Sequence, residues 1–246
     1  MQLTLQDVSR FLDAPEPTIT RWINQRGLPT QYVGGQYRFN RSEVLEWAAA
    51  NQIKVSLELV DRSPGDRSLG DRSPGEDEPM PTLADALALG GIFYKLKGNS
   101  KEGALRSLVE VLPLPAEVDR DQLFRLFMAR EAATSTAIGR GIALPHAHNP
   151  VILHVERPLV TLCFLEQPVE FGASDGKPVE VLFSLICPTM RSHLQVLSRI
   201  SLALHDTQFK DAIARQLPRE DILREAQRIE EAMTSPKAAT SGKVAD

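Results

Sequence analysis

A chain of 246 residues with 42% hydrophobic content can bury a substantial core and has room for one or two domains. Its net charge of −4 gives no bulk signal for nucleic acid, and no run approaches the roughly 20 apolar residues of a membrane span. The two cysteines, Cys163 and Cys187, both lie in apolar segments and read as buried thiols; with no signal-peptide pattern at the N-terminus, a reducing, cytoplasmic setting is expected.

Residues 1–52 read as a compact unit. Thr4 is a helix N-cap, and Leu5, Val8, Phe11 and Leu12 recur at helical spacing. A short turn leads to a second helix over residues 17–24, with Ile19, Trp22 and Ile23 inward and Gly27 placed to cap it. Two helices joined by a short turn make a helix-turn-helix plan. Residues 28–39 then alternate around Gly34-Gly35, which predicts a small hairpin or wing. A third helix, over residues 41–51, buries Val44, Leu45 and Trp47.

The pieces Leu3-Thr4-Leu5-Gln6-Asp7-Val8, Thr18-Ile19-Thr20-Arg21-Trp22-Ile23, Gly27-Leu28-Pro29 and Val33-Gly34-Gly35-Gln36-Tyr37-Arg38-Phe39 resemble the excisionase-like branch of the MerR-type winged helix-turn-helix domains. The resemblance implies DNA contacts from Thr18, Thr20 and Arg21 at the start of a recognition helix, and from Gln36 and Arg38 on the wing. Charge tempers this. Arg10, Arg21, Arg26, Arg38 and Arg41 are matched by Asp7, Asp13, Glu16, Glu43 and Glu46, five against five. Phosphate contacts dominate DNA affinity, so a neutral head should bind weakly alone and need dimerisation. A protein-docking or vestigial head is the alternative, and Trp22 and Trp47 read as core.

Residues 53–81 change character. Asp61-Arg62-Ser63-Pro64-Gly65 recurs with Leu69 in place of proline at residues 66–70 and unchanged at 71–75, and an acidic, proline-containing stretch follows. So little apolar content cannot bury a core, so a disordered linker is expected. Residues 82–233 form the larger unit. Thr82 with Asp85 opens a helix, residues 91–96 read as a strand, Ser100 caps a helix to Val111, and residues 120–131 make another. Residues 159–165 and 179–186 are strong strands, the second apolar enough to be buried on both faces. Helices follow over residues 193–204, 206–215 and 219–233, and residues 234–246 read as a frayed tail. The fold class is therefore α/β: an all-α-plus-wing head, a linker, then a mixed sheet flanked by helices.

One stretch of this unit concentrates chemistry. Gly139 and Gly141 permit a tight turn beside the apolar run Ile142-Ala143-Leu144, which Pro145 ends. His146 is thus presented at a strand end, beside glycine-rich backbone whose N–H groups could face an anion. A neutral imidazole offers a nucleophilic ring nitrogen near pH 7. Phosphoryl transfer needs positioning and charge stabilisation more than covalent help.

The unit resembles the EIIA proteins of the phosphoenolpyruvate-dependent phosphotransferase system, in the fructose, mannitol and nitrogen-regulatory class. The match lies in Arg130-Glu131, Ser135-Thr136, Ile138-Gly139-Arg140-Gly141-Ile142-Ala143-Leu144-Pro145-His146, Asp175-Gly176-Lys177-Pro178-Val179, Cys187-Pro188 and Ser192-His193-Leu194. The resemblance implies a phosphohistidine phosphotransfer protein in which His146 takes a phosphoryl group from HPr or its nitrogen-type paralogue. His193, in the first turn of an apolar-striped helix, would hydrogen-bond that group, and Arg130 would hold its oxygens. Ser135, Thr136, Gly139 and Gly141 would form the loop around it. An EIIB-type or regulatory protein would be the acceptor, and no cofactor is expected.

Departures from the pattern are Ala147, where the family usually has glycine, then His148, and Arg140 where a polar residue is common. His146, His148 and His193 together raise a metal site, but no cysteine or acid stands at ligand spacing beside them, so no metal is expected. His154 and His205 read as surface or helix-edge residues. A Gly-x-Ser-x-Gly elbow, a Walker loop and a Rossmann fingerprint are absent, and neither cysteine fits an exposed EIIB-type nucleophile. The expected function is a regulatory phosphocarrier coupled to a DNA-binding head. The alternatives are a transcription regulator with a non-phosphorylated EIIA-like domain, and a sugar-specific EIIA subunit feeding a separate permease.

Overall fold

A computed structural model describes residues 2–51, 53, 82–147 and 155–234. The expected linker beyond residue 53, the tail beyond residue 234, His148 and His154 lie outside the described residues.

The head contains β1 (Gln2–Leu3), α1 (Leu5–Phe11), α2 (Glu16–Arg26), β2 (Gln31–Val33), β3 (Gln36–Asn40) and α3 (Arg41–Ala50). Thr4 Oγ1 accepts from the Asp7 N–H while the Asp7 carboxylate takes the Thr4 N–H, a reciprocal cap that starts α1. Gly27 ends α2 with φ of 64°, a left-handed cap that other residues resist. Gly34 and Gly35 both have positive φ, 59° and 79°, as a two-residue hairpin turn of the wing requires. β1 adds a third strand, pairing Leu3 with Phe39. Two residues are too few for alternation to reveal it in sequence. Val8, Phe11, Ile19, Phe39, Val44 and Leu45 fill the core.

The larger domain runs α4 (Leu83–Gly90), β4 (Ile92–Leu96), α5 (Lys101–Val111), α6 (Arg120–Ala133), β5 (Ala137–Gly139), β6 (Ile142–Ala143), β7 (Leu159–Val169), β8 (Val179–Ile186), α7 (Met190–Ala203), α8 (Thr207–Ala214) and α9 (Arg219–Thr234). The five strands form one mixed sheet in the order β4-β7-β8-β6-β5. β7 and β8 run antiparallel at its centre, with β4 parallel to β7 and β6 parallel to β8. From Val181 to Ile186, β8 is covered on both faces, as its largely apolar sequence implies.

Side chains of the central strands alternate between two layers. Val160, Leu162, Phe164, Val181, Phe183 and Leu185 pack with α4, α7, α8 and α9. Cys163, Leu165, Leu182 and Ile186 pack with α5 and α6. The first layer is continuous with the core of the head, and α3 lies against α7 and β5.

α7 begins three residues before the expected start at His193. Thr189 is its N-cap, and Thr189 and Ser192 cap each other's backbone N–H groups. The His193 N–H already donates to Thr189 O, inside the helix ladder. His193 therefore does not offer a free terminal amide, as a helix start there would.

Gly90, the last residue of α4, lies so close to β7 that a Cβ would overlap the Val160 backbone. A backbone group cannot swing aside, so Gly90→Ala is expected to destabilise the domain by about 1–3 kcal/mol, the usual cost of overpacking. A fall in thermal midpoint relative to the parent chain checks this, and an unchanged midpoint contradicts it.

Candidate functional site

His146 follows a break in β6. Leu144 and Pro145 leave the strand, and His146 then returns to pair with Leu185 of β8 as a single parallel bridge. The ring is 3% exposed. Its Nδ1 lies 2.6 Å from the Leu144 carbonyl oxygen, which can only accept, so Nδ1 carries a proton and the ring orientation is set. Nε2 thereby faces away from the sheet. His193, buried on α7, stands beside it with ring centroids 5.1 Å apart and planes at 47°. Strand end and helix thus bring together two histidines 47 residues apart in sequence.

Arg130 closes a third side. It lies in the last turn of α6, where a cation complements the partial negative charge of the helix end. One guanidinium nitrogen donates to Thr134 O at 2.8 Å. The other donates to a carboxylate from the head, Glu46 on α3. The second oxygen of that carboxylate lies 3.0 Å from His146 Nε2. Burial alone would raise the Glu46 carboxyl; the hydrogen bond and charge of His146, then Arg130, overcome this and hold it at about 2. Glu46 is therefore an anion at neutral pH, seated among His146, His193 and Arg130.

These groups line a cavity of about 390 Å³ between head and larger domain. Trp47 and Glu43 contribute from α3, and Thr134, Ser135, Thr136, Ile138 and Leu144 from the other side. The turn after α6 is fixed by buried Glu131, whose Oε2 accepts from both the N–H and the hydroxyl of Thr136 while Lys101 pairs with its other oxygen at 3.0 Å. Ser135 Oγ donates to Phe171 O and accepts from the Ala137 N–H. Ser135 and Thr136 line the cavity, but their hydroxyls are committed to the turn.

The model of the phosphoenolpyruvate-dependent sugar phosphotransferase system EIIA 2 family matches residues 87–228, and that of a helix-turn-helix domain matches residues 3–52. The chain belongs to the EIIA 2 family. It is 34% identical over 130 residues to a nitrogen regulatory protein of Bradyrhizobium diazoefficiens, covering 52% of this chain and 82% of the relative. It is 32% identical over 138 residues to a nitrogen regulatory protein of Pseudomonas aeruginosa, covering 54% and 87%. The crystal structure of the nitrogen regulatory protein IIA-Ntr of Neisseria meningitidis superposes with a TM-score of 0.51 at 25% identity, over 58% of this chain and 98% of that one.

Within the EIIA domain, not all the expected phosphate-loop residues reach the histidines. Gly139, Arg140 and Gly141 have φ of 83°, 56° and 77° and form the β5–β6 turn. The Arg140 N–H donates to the Asp175 carboxylate at 2.7 Å, and Gly141 O accepts from Glu180 and Val181. Neither glycine lines the cavity, and the anion that the turn's Arg140 N–H faces is Asp175. Their conformational freedom serves the turn that leads into β6. Arg140 is exposed, and Ala147 is buried in the layer of α5 and α6. His205 is a helix-edge residue with Nδ1 2.7 Å from Ser201 O. Burial pushes both Cys163 and Cys187 up to about 12, so neither is a thiolate nucleophile at neutral pH.

On the head, Arg21 and Gln36 are exposed, and Thr18, Thr20 and Arg38 are half-buried. Arg38 donates to Gln36 Oε1 at 2.8 Å on the wing, and the Thr20 hydroxyl donates back to Glu16 O. Trp47 is core, its ring centroid 5.5 Å from that of Trp22 with the planes tilted at 47°, and it donates its Nε1–H to Arg26 O. Among the described residues no helix is long and apolar enough to cross a membrane.

Sequence reasoning missed Glu46. It appeared only as one of five acids balancing the charge of the head, and its partners lie 84 and 100 residues away. The metal question changes with it. Donor atoms of Glu46, His146 and His193 lie within 4.8 Å of one another, a two-histidine, one-carboxylate set. Arg130 on the same carboxylate opposes a cation there, so the surroundings suit an anion.

Glu46 makes a sign-definite pH prediction. Its folded value of about 2 lies below the ordinary 4.5, so its stabilisation is complete above 4.5 and is lost as pH falls towards 2. Glu46→Gln is expected to lower stability at neutral pH by about 1.5–3 kcal/mol, the range for hydrogen bonds to charged groups. The gap between parent and variant in denaturant midpoint should narrow through that acid window. A gap independent of pH would contradict the pairing.

Proposed function

We propose that the chain is a regulatory phosphocarrier that accepts a phosphoryl group on His146 Nε2 from an HPr-type protein and couples it to a DNA-binding head. One observation carries this reading. Nδ1 is tied to Leu144 O, so Nε2 is the nitrogen directed at a seat lined by Arg130 and His193 and already holding an anionic group.

In the transfer, the P–N bond of the carrier's phosphohistidine breaks as the lone pair of His146 Nε2 forms a new P–N bond. The departing imidazole keeps the bonding electrons. The Leu144 carbonyl holds the Nδ1 proton and stabilises the positive charge that develops on the ring. Arg130 and His193 supply hydrogen bonds and positive charge to the phosphoryl oxygens. The reverse step hands the group to an EIIB-type or regulatory protein. EIIA proteins partner with such carriers and acceptors, and the nitrogen regulatory relatives favour a regulatory role over sugar uptake.

Incubation with phosphoenolpyruvate, enzyme I and a nitrogen-type HPr should add one acid-labile phosphoryl group to the full chain and none to His146→Ala. Failure of the parent chain to take label from either HPr paralogue would overturn the phosphocarrier reading. For the head, duplex binding should weaken with salt, and Arg21→Ala or Arg38→Ala should each lower affinity about tenfold, as loss of a charge-assisted contact predicts. Fluorescence anisotropy with a labelled duplex measures this. Unchanged affinity in both variants would remove the recognition-helix and wing assignment.

A further inference from the structure

We propose that Glu46 is a built-in occupant of the phosphoryl seat, so that docking of the head and phosphorylation of His146 exclude one another. The inference rests on the phosphocarrier reading and adds what couples the two domains.

Three observations converge. First, the Glu46 carboxylate makes the contacts a phosphoryl group would make, with the Arg130 guanidinium and with His146 Nε2. A phosphorus bonded to Nε2, with its three oxygens, would need the space that Glu46 fills, 3.0 Å from that nitrogen. Second, docking disarms the nucleophile. Leu144 O and the Glu46 carboxylate both only accept, so with the head docked both ring nitrogens of His146 donate. While Nε2 donates to Glu46, it has no lone pair with which to attack phosphorus. Third, His146 is 3% exposed, behind a wall to which α3 contributes Glu43, Glu46 and Trp47. A protein donor cannot approach Nε2 in line until that wall moves.

The converse follows by linkage. A phosphoryl group carries a charge of about −1.5 to −2 near neutral pH. On Nε2 it would take Arg130 from Glu46 and face the carboxylate with like charge. Phosphorylation therefore expels α3, and by reciprocity the docked head opposes phosphorylation by the same factor. Arg21 and Gln36 are exposed while the head is docked, so the switch acts on where the head is held rather than by covering them.

The full chain carries its own reporter. Its two tryptophans, Trp22 and Trp47, are both in the head, and Trp47 lines the cavity. The chain and its Glu46→Ala and Glu46→Gln variants are to be phosphorylated by the enzyme I and HPr cascade and, separately, by phosphoramidate, a small donor that needs no carrier. Both variants should accept the group faster from the carrier, by about fivefold or more, the low end of typical coupling factors. Phosphorylation of the parent chain by phosphoramidate should shift its tryptophan emission to longer wavelength. Glu46→Ala should show that shift before any phosphorylation, and His146→Ala should not acquire it. Equal carrier rates in parent and variants, or a phosphorylated parent chain with unshifted emission, would overturn the inference and leave the phosphocarrier reading standing. No phosphorylation of parent or variants by either donor would overturn both.

Discussion

His146 has two ring nitrogens, and each faces an oxygen that can only accept a hydrogen bond. Much of the architecture follows from satisfying both. The Leu144 contact requires the chain to leave β6 and return to β8 within three residues, which Pro145 permits because it has no N–H to place in a ladder. The Glu46 contact requires a helix from the head to lie against α7 and β5. Arg130 is the counterion that makes both tolerable. Without it, a carboxylate half-buried against two histidines would lose hydration for one hydrogen bond. With His146 and Arg130 both on it, the carboxylate stays ionised well below its ordinary range.

Legibility in the sequence divided along a physical line. β8 could be read because a run with six apolar residues in eight, on both faces, leaves few alternatives to a central strand. The wing could be read because Gly34-Gly35 supplies positive φ at the two positions a tight hairpin needs. His146, His193 and Arg130 stood out from a motif, and the fold brings them together around one cavity. The start of α7 lies three residues before His193, where Thr189 and Ser192 carry the capping pattern. The β5–β6 turn is legible only in part. Gly139 and Gly141 reveal that the backbone is contorted, but not which way its amides point. Asp175, 35 residues on, settles that.

Glu46 marks the limit of local reading. Nothing within α3 distinguishes it from Glu43, since both are acids on a helix of mixed polarity. Three residues apart, both lie on the face of α3 that lines the cavity; what separates them is that Glu46 alone reaches Arg130 and His146, a property of docking rather than of propensity. A pair separated by 100 residues leaves no periodic trace in a single sequence. The neutral charge of the head, which in sequence weighs against strong DNA binding, also acquires a second meaning. One of its five acids is neutralised by residues of the other domain.

The size of the effect at this seat depends on how the docking energy divides. The head meets α7 and β5 through apolar side chains as well as through Glu46, and its core runs without interruption into the layer above the sheet. Apolar burial is indifferent to the state of His146, since it is proportional to area and not to charge. Only the electrostatic part reverses sign when a carboxylate facing the Arg130 guanidinium and a histidine N–H becomes a carboxylate facing a phosphoryl group. A ligand moves a two-state equilibrium only by its differential interaction with the two states. The apolar contact therefore sets where the equilibrium starts, and Glu46 sets how far a single phosphoryl group can move it. A larger apolar interface would hold the head more firmly and blunt the response. Retaining a charged residue at the centre of an otherwise apolar contact is what makes that contact sensitive to chemistry at one nitrogen atom.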